Sequence, residues 1–170
     1  MANAWLDIKG PVVADTVYDG GQLVAKDTAF TLSGIELLTA DVQAMGNMSV
    51  PLIGLIENMQ ATITKIGMDK GLGRMNRLEK HNLEFRWVQN VVKADGSETV
   101  EGCKAFVRTM PGSSPELSPE VGSALEGETV YNVTRMQIYI GSYELCCVDR
   151  LNQILRIDGK DYMAKIRSLL

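Results

Sequence analysis

His81 is the only histidine in the 170-residue chain, so any pairing of a serine or cysteine nucleophile with an imidazole base depends on it alone. It stands between Lys80 and a strand start at Asn82, a place that predicts a solvated or capping side chain rather than a base. The cysteines Cys103, Cys146 and Cys147 are an odd set without CxxC spacing, and with one histidine they fit no zinc pattern. Neighbours on a strand point to opposite faces, so Cys146 and Cys147 are expected to pack as small hydrophobes, one inward and one outward. The stretch 67–73, GMDKGLG, is superficially a phosphate loop, but no Lys-Ser or Lys-Thr follows and the third glycine of GxGxxG is missing. Lys65, Lys70, Arg74, Arg77 and Lys80 are the one cationic cluster, read as a solvated helix face or, second, as a contact for an acidic partner. Trp5 and Trp87 stand too far apart to form a base-stacking platform. No cofactor, metal or catalytic residue is therefore expected, and the chain reads as a non-enzyme. A small-ligand β-barrel or an enzyme on a β scaffold would need a deep pocket with converging polar groups.

Composition narrows the class. A chain of 170 residues holds one domain with a real core, taken as residues 1–170. Sixteen glycines suit a turn-rich β protein. A net charge of −4 argues against gripping nucleic-acid phosphates, yet allows a surface that nucleic acid slides past. No apolar run reaches the roughly 18–20 residues of a membrane helix, and the first residues lack a secretory signal, so a soluble protein made in the cytoplasm is expected.

The elements that position these residues are mostly strands. Residues 12–18 and 22–26 flank Asp19-Gly20-Gly21, a hairpin signal. Residues 30–45 fit either a helical stripe or alternating strands with phase changes, and the missing cap before Ile35 favours bulged strands. Residues 46–56, GNMSVPLIGLI, hold three breakers and no charge, and read as a loop. It is either tucked into the domain's own core or buried when another subunit docks. Residues 58–66 alternate, with Met59, Ala61 and Ile63 opposite the uncharged Gln60, Thr62 and Thr64. Asp69 caps a helix expected over 69–80, with Leu72, Met75 and Leu78 on one face, weakened by Gly71 and Gly73 at about 1 kcal/mol each.

Residues 82–93 and 98–110 form a long hairpin, with Leu83, Phe85, Trp87, Cys103, Ala105 and Val107 on one face and Glu84, Arg86, Lys104 and Arg108 on the other. Residues 111–127 read as an exposed proline-containing loop with one helical turn near 120–125. Residues 128–162 read as strand, turn at Gly141-Ser142, strand, strand. In the first of these Val130, Met136, Ile138 and Ile140 lie opposite Tyr131, Arg135 and Tyr139. A short amphipathic helix over 161–169, with Tyr162, Ile166 and Leu169 on one side, is expected to cap the sheet. Many strands without βαβ alternation imply a mainly β fold, an antiparallel sandwich or barrel with one or two short helices.

Four strings, 59–67 (MQATITKIG), 80–92 (KHNLEFRWVQNVV), 102–108 (GCKAFVR) and 133–162 (from VTRMQIYI through LNQILRIDGKDY), in this order and spacing resemble the major tail tube protein of contractile-tailed bacteriophages. Related tubes of phage-tail-like bacteriocins share the pattern. The resemblance covers nearly the whole chain and implies a tail-tube-like structural subunit of the virion tail, self-assembled in the host bacterial cytoplasm. It implies hexameric rings whose strands join into an inner β-barrel, stacked into a hollow tube that conducts DNA during genome ejection. Implied partners are further copies of the chain, sheath protein, baseplate and tail terminator proteins, and tape measure protein or DNA in the lumen, without membrane insertion. A tailocin or type VI-like injection system is the alternative.

Residues 46–56 occupy the family's inter-ring loop, so Met48, Val50, Pro51, Leu52, Ile53, Leu55 and Ile56 are the implied stacking residues. Gln60, Thr62, Thr64, Glu84 and Arg86 are the implied lumen-facing set, with Glu84 placed to neutralise Arg86. Tyr131, Arg135 and Tyr139 are read as a subunit or sheath contact, or simply a solvated face.

Overall fold

The computed structural model describes residues 7–170; Trp5 lies outside the described residues. The long hairpin is the frame. Strand β7 (Asn82–Val92) pairs antiparallel with β8 (Glu98–Thr109) in unbroken register from Asn82↔Arg108 to Val92↔Glu98. The alternation inward of Leu83 and Phe85, matched by Cys103, Ala105 and Val107, buries one face, as expected from the sequence. On one side β7 pairs with β1 (Ile8–Asp19), which turns through Gly20 and Gly21 into β2 (Gln22–Lys26). Both central glycines have positive φ, +58° and +84°, the twist that a two-residue hairpin demands.

On the other side β8 pairs with β9 (Glu126–Ile140), followed in order by β10 (Tyr143–Asp149), β11 (Ile154–Ile157) and β12 (Lys160–Asp161). Strand β9 belongs to two sheets. Its first half pairs with β6 (Gln60–Ile66), which in turn pairs with β3 (Ala29–Leu32), while its second half pairs with β8 and β10. The register jumps at Thr134, between Thr109↔Val133 and Arg108↔Arg135, and this bulge inverts the parity of the strand. Before it Thr129, Tyr131 and Val133 face the core; after it Met136 and Ile138 do. The expected outward position of Tyr131 is thereby corrected: it is buried and its hydroxyl donates to the Met75 carbonyl at 2.8 Å.

The inner faces of the two sheets meet. Phe30 on β3 lies 4.9 Å from Phe85 on β7 and 5.7 Å from Trp87, ring to ring, across the sandwich. Such aromatic pairs add about 1 kcal/mol beyond the area they bury. Met59, Ala61 and Ile63 from one side and Val17, Ala105, Val107 and Val148 from the other complete the core. The architecture is mainly antiparallel β with two short helices, as expected.

Residues 30–45 hold two strands, β3 and β4 (Leu37–Gln43), joined by residues 33–36, and not a helix. Residues 46–56 are corrected from a loop to a strand, β5 (Asn47–Ile56), which pairs with β4 alone as a two-stranded arm. Pro51 and Gly54 are tolerated because a ribbon of two strands leaves one edge of each unpaired.

Helix α1 (Lys70–Met75) is shorter than expected, and Leu78 is exposed. Asp69 caps it as predicted, accepting from the Leu72 amide at 3.0 Å. A Cβ at Gly71 would sit 2.2 Å from the Val24 carbonyl oxygen, so this glycine lets the helix press onto β2. Helix α2 (Ala164–Arg167) packs through Ile166, whereas Leu169 is exposed. Residues 110–125 form no strand or helix beyond a turn at 121–123. No helix among the described residues is long and apolar enough to cross a membrane.

Candidate assembly surfaces

The residues that promised chemistry are structural. His81 is buried, with Nδ1 2.7 Å from Asp19 Oδ2 and Nε2 2.8 Å from the Arg77 carbonyl oxygen. Its ring meets Tyr131 edge-on, at 5.2 Å between centroids. It thus ties the β1–β2 turn to the segment between α1 and β7; of the expected solvated or capping histidine, the solvated alternative is corrected. Of the cationic cluster Lys70, Arg77 and Lys80 are solvated as expected, whereas Lys65 is buried and Arg74 half-buried. The buried Lys65 ammonium donates to the Val24 carbonyl at 2.9 Å and pairs with Asp69 at 2.9 Å, Arg74 approaches Asp19 at 3.7 Å, and Arg77 approaches Glu79 at 3.5 Å. The three cysteines are all buried and unbonded. Cys146 faces the core and Cys147 points away from it, both packed as small hydrophobes as expected, Cys147 under a cover of its own. Burial pushes the Cys103 and Cys146 thiols up, which makes them unreactive hydrophobes.

The β4–β5 arm has two unlike faces. Cross-strand pairs Ala40↔Val50 and Val42↔Met48 line one side, and Asp41↔Ser49 and Gln43↔Asn47 line the other. On the polar side the Ser49 hydroxyl donates to Asp41 at 2.7 Å. Among the described residues the apolar side is incompletely covered: Ala40 and Val50 are half-buried, but Met48 is 50% exposed and Met45, at the tip, fully so.

The base of the arm is irregular. Between Leu37↔Ile56 and Thr39↔Pro51, the four β5 residues Leu52, Ile53, Gly54 and Leu55 oppose the single Leu38. Gly54 has φ +90°, and a Cβ there would lie 2.5 Å from Met163 Sδ, so glycine alone fits this elbow against α2. Arg150 fastens the base by donating to the Ile56 carbonyl at 3.2 Å. Of the seven implied stacking residues, Met48, Ile53 and Leu55 are exposed and apolar, Pro51 is exposed, and Val50 and Leu52 are half-buried. Ile56, at 9%, belongs to the subunit's own core. Val42 and Met45 join the exposed set and were missed, although both stand at the edge of the same charge-free run.

The five implied lumen residues do not share a face. Gln60, Thr62 and Thr64 lie on the outward side of the smaller sheet, beside Thr31 on β3 and Glu128, Val130 and Asn132 on β9. No Lys or Arg occupies this set of positions. Glu84 and Arg86 lie on the outward side of the larger sheet, beyond Phe85, and so leave the sandwich in the opposite direction.

That second face is a lattice of rows running across the strands. One row is Asn82, Arg108, Arg135 and Asp149; the next is Tyr18, Glu84, Phe106, Gln137, Cys147 and Arg156; the third is Thr16, Arg86, Lys104, Tyr139 and Glu144. Arg86 bonds Glu84 at 2.6 Å and lies over the Tyr18 ring at 4.6 Å. Arg156 bonds Glu144 at 2.6 Å and holds that carboxyl below the usual carboxylate range, with Gln137 and Tyr139 also donating to it. Burial, then Glu144, pushes the Tyr139 phenol up. This polar lid is what covers Cys147.

No group of three or more metal-ligating side chains occurs among the described residues. Residues 13–170 match the family model described as phage tail tube protein FII. No curated protein sequence matches the chain. Among solved structures the fold is similar to a chain from the cryo-EM structure of an extracellular contractile injection system, described as a PVC sheath-tube complex in the extended state. The TM-score is 0.51 and the identity 16%, over 76% of this chain and 90% of that one.

Proposed function

We propose that this chain, which belongs to the phage tail tube protein family as a structural, non-enzymatic tube subunit, closes into hexameric rings that stack into the hollow tube of a contractile tail and conduct DNA. One observation carries the stacking: on the β4–β5 arm Val42, Met45, Met48, Ile53 and Leu55 are exposed to water among the described residues. Exposed apolar surface on such a ribbon is stabilised when a second surface removes it from water, at about 25 cal/mol per Å² of apolar area. The next ring is that surface in this reading.

The conduit follows from the smaller sheet. Its outward positions, Gln60, Thr62 and Thr64 with Thr31, Asn132 and Glu128, carry hydroxyls, amides and one carboxylate but no cation. A polyanion meets no site there at which to release counterions and stick. Glu84 and Arg86 then lie on the tube's outward side, where a sheath would slide. Baseplate, terminator and tape measure proteins would meet the tube ends and lumen, and assembly would take place in the host cytoplasm.

Electron microscopy of concentrated protein tests this: rings and hollow tubes are expected, and a species that stays monomeric at every concentration overturns it. The likeness to an injection-system tube supports a second reading, a tailocin or type VI-like tube. Capsid and terminase genes beside this one decide for the phage.

A further inference from the structure

On the larger sheet's outward face, the strands β7, β8 and β9 bring Arg86, Lys104, Arg108 and Arg135 together with one carboxylate, Glu84, in a chain whose net charge is −4. Arg86 is held by Glu84 and Arg135 by Asp149 at 3.9 Å, whereas Lys104 and Arg108 have no ion pair among the described residues. Arg108 and Arg135 stand directly opposite one another across β8 and β9, a like-charge pair that costs stability. Between them and the β1–β2 turn lies a recess of about 470 Å³, lined by Asn82, Glu84, Phe106, Arg108, Gln137 and Tyr139. Phe106 is 41% exposed there, with Tyr139 edge-on at 6.0 Å. A guanidinium without a carboxylate, beside an uncovered aromatic ring, is complementary to a carboxylate next to an apolar side chain.

We propose that this recess is a docking site for an acidic, aromatic-bearing segment of a second protein, whose carboxylates pair with Arg108 in the recess and with Lys104, which stands just beyond it opposite Tyr139, while its ring covers Phe106. The charge imbalance selects that occupant. A basic segment would be repelled by Lys104 and Arg108, which no carboxylate neutralises among the described residues, and a purely apolar one would bury them unpaired. The placement of this partner on the outside of the tube rests on the lumen reading above; the recess and its chemistry do not.

The probe is a dye-labelled, blocked pentapeptide of four glutamates around one phenylalanine, titrated into the full-length protein by fluorescence anisotropy at low and at physiological salt. Wild type is expected to bind it, more weakly as salt rises, and to ignore the peptide with glutamines in place of glutamates. The pair Lys104→Gln and Arg108→Gln is expected to weaken binding about tenfold or more. The charge-matched pair Lys70→Gln and Lys80→Gln, away from the recess, is expected to leave it unchanged. Absence of binding, equal binding of the glutamine peptide, or equal loss in both double variants overturns the inference. Imaging the same preparations separates the two readings. Tubes without peptide binding sink the docking site alone, and peptide binding mapped to Arg108 without tubes sinks the tube alone.

Discussion

His81 Nδ1 lies 2.7 Å from Asp19 Oδ2 while His81 Nε2 lies 2.8 Å from the Arg77 carbonyl oxygen, so both ring nitrogens of one buried imidazole face acceptors. The ring joins the β1–β2 turn to the entry of β7, and Asp19 is itself buried with Arg74 as its other charged neighbour at 3.7 Å. His81→Leu would keep the volume and strand the Asp19 carboxylate. A loss of about 3 kcal/mol in urea unfolding is expected, and a loss below about 1 kcal/mol would show that the contact is not a fastening.

Gly71 gives a prediction whose sign separates two physical causes. Helix propensity alone says that Gly71→Ala gains about 1 kcal/mol. The packing of α1 on β2 says the opposite, because the new Cβ would meet the Val24 carbonyl oxygen at 2.2 Å, a backbone atom that cannot swing aside. Destabilisation by about 1–3 kcal/mol is expected. A raised thermal midpoint would mean that α1 sits further from β2 than described.

These two sites also mark where sequence reasoning stops. The turn at Asp19-Gly20-Gly21 and the inward Leu83 and Phe85 were legible because local chemistry dictates them, through positive φ in one case and period-2 alternation in the other. Tyr131 was misplaced because the bulge at Thr134 inverts β9, and a bulge of one residue leaves no compositional mark. Lys65 was counted among solvated cations, although its ammonium is satisfied by a carbonyl distant in sequence. The arm's apolarity was legible and its strand character was not, since Pro51 and Gly54 act as breakers everywhere except in a ribbon with open edges. The cationic recess needed the register of three strands and could not be read from any one of them.

Glu144 predicts the acid limb of stability. Its carboxyl is held below its ordinary value, chiefly by Arg156, so the folded state binds a proton less readily than the unfolded chain. The stabilisation is present above the unfolded value, about 4.3, and is lost as pH falls through the lower folded one. Both side chains are partly exposed, so the effect is modest. Glu144→Gln is expected to flatten the fall of the thermal midpoint between about pH 5 and pH 3; an unchanged slope would assign that limb to other carboxylates, Asp149 foremost.

Thr62 tests the conduit independently of assembly. It is half-buried on the outward side of β6, between Thr31 and Val130, so a longer side chain reaches solvent without disturbing Ala61 and Ile63 beneath. Thr62→Lys is expected to leave tube formation and thermal midpoint intact while making assembled tubes retain DNA in a low-salt sedimentation assay, with retention lost as salt rises. Arg86→Glu, on the opposite face, is expected to change neither retention nor its salt dependence. Equal retention by wild type and Thr62→Lys would move the lumen to another surface.

The arm offers the sharpest separation of folding from assembly, because its apolar residues differ in how much the subunit itself uses them. Met48 is exposed on a strand that pairs with β4 alone, so Met48→Asp should cost the isolated subunit under about 0.5 kcal/mol. Burying that carboxylate in a ring-to-ring contact without a partner costs several kcal/mol, enough to stop stacking. Leu52→Asp is expected to block stacking too, with a somewhat larger cost to the subunit because Leu52 is half-buried. Ile56→Asp should instead unfold the protein, since Ile56 lies in the core. Electron microscopy and thermal unfolding of the three variants read the two effects apart. Tubes of normal length from folded Met48→Asp would refute docking by the arm and leave its bare apolar side without a role.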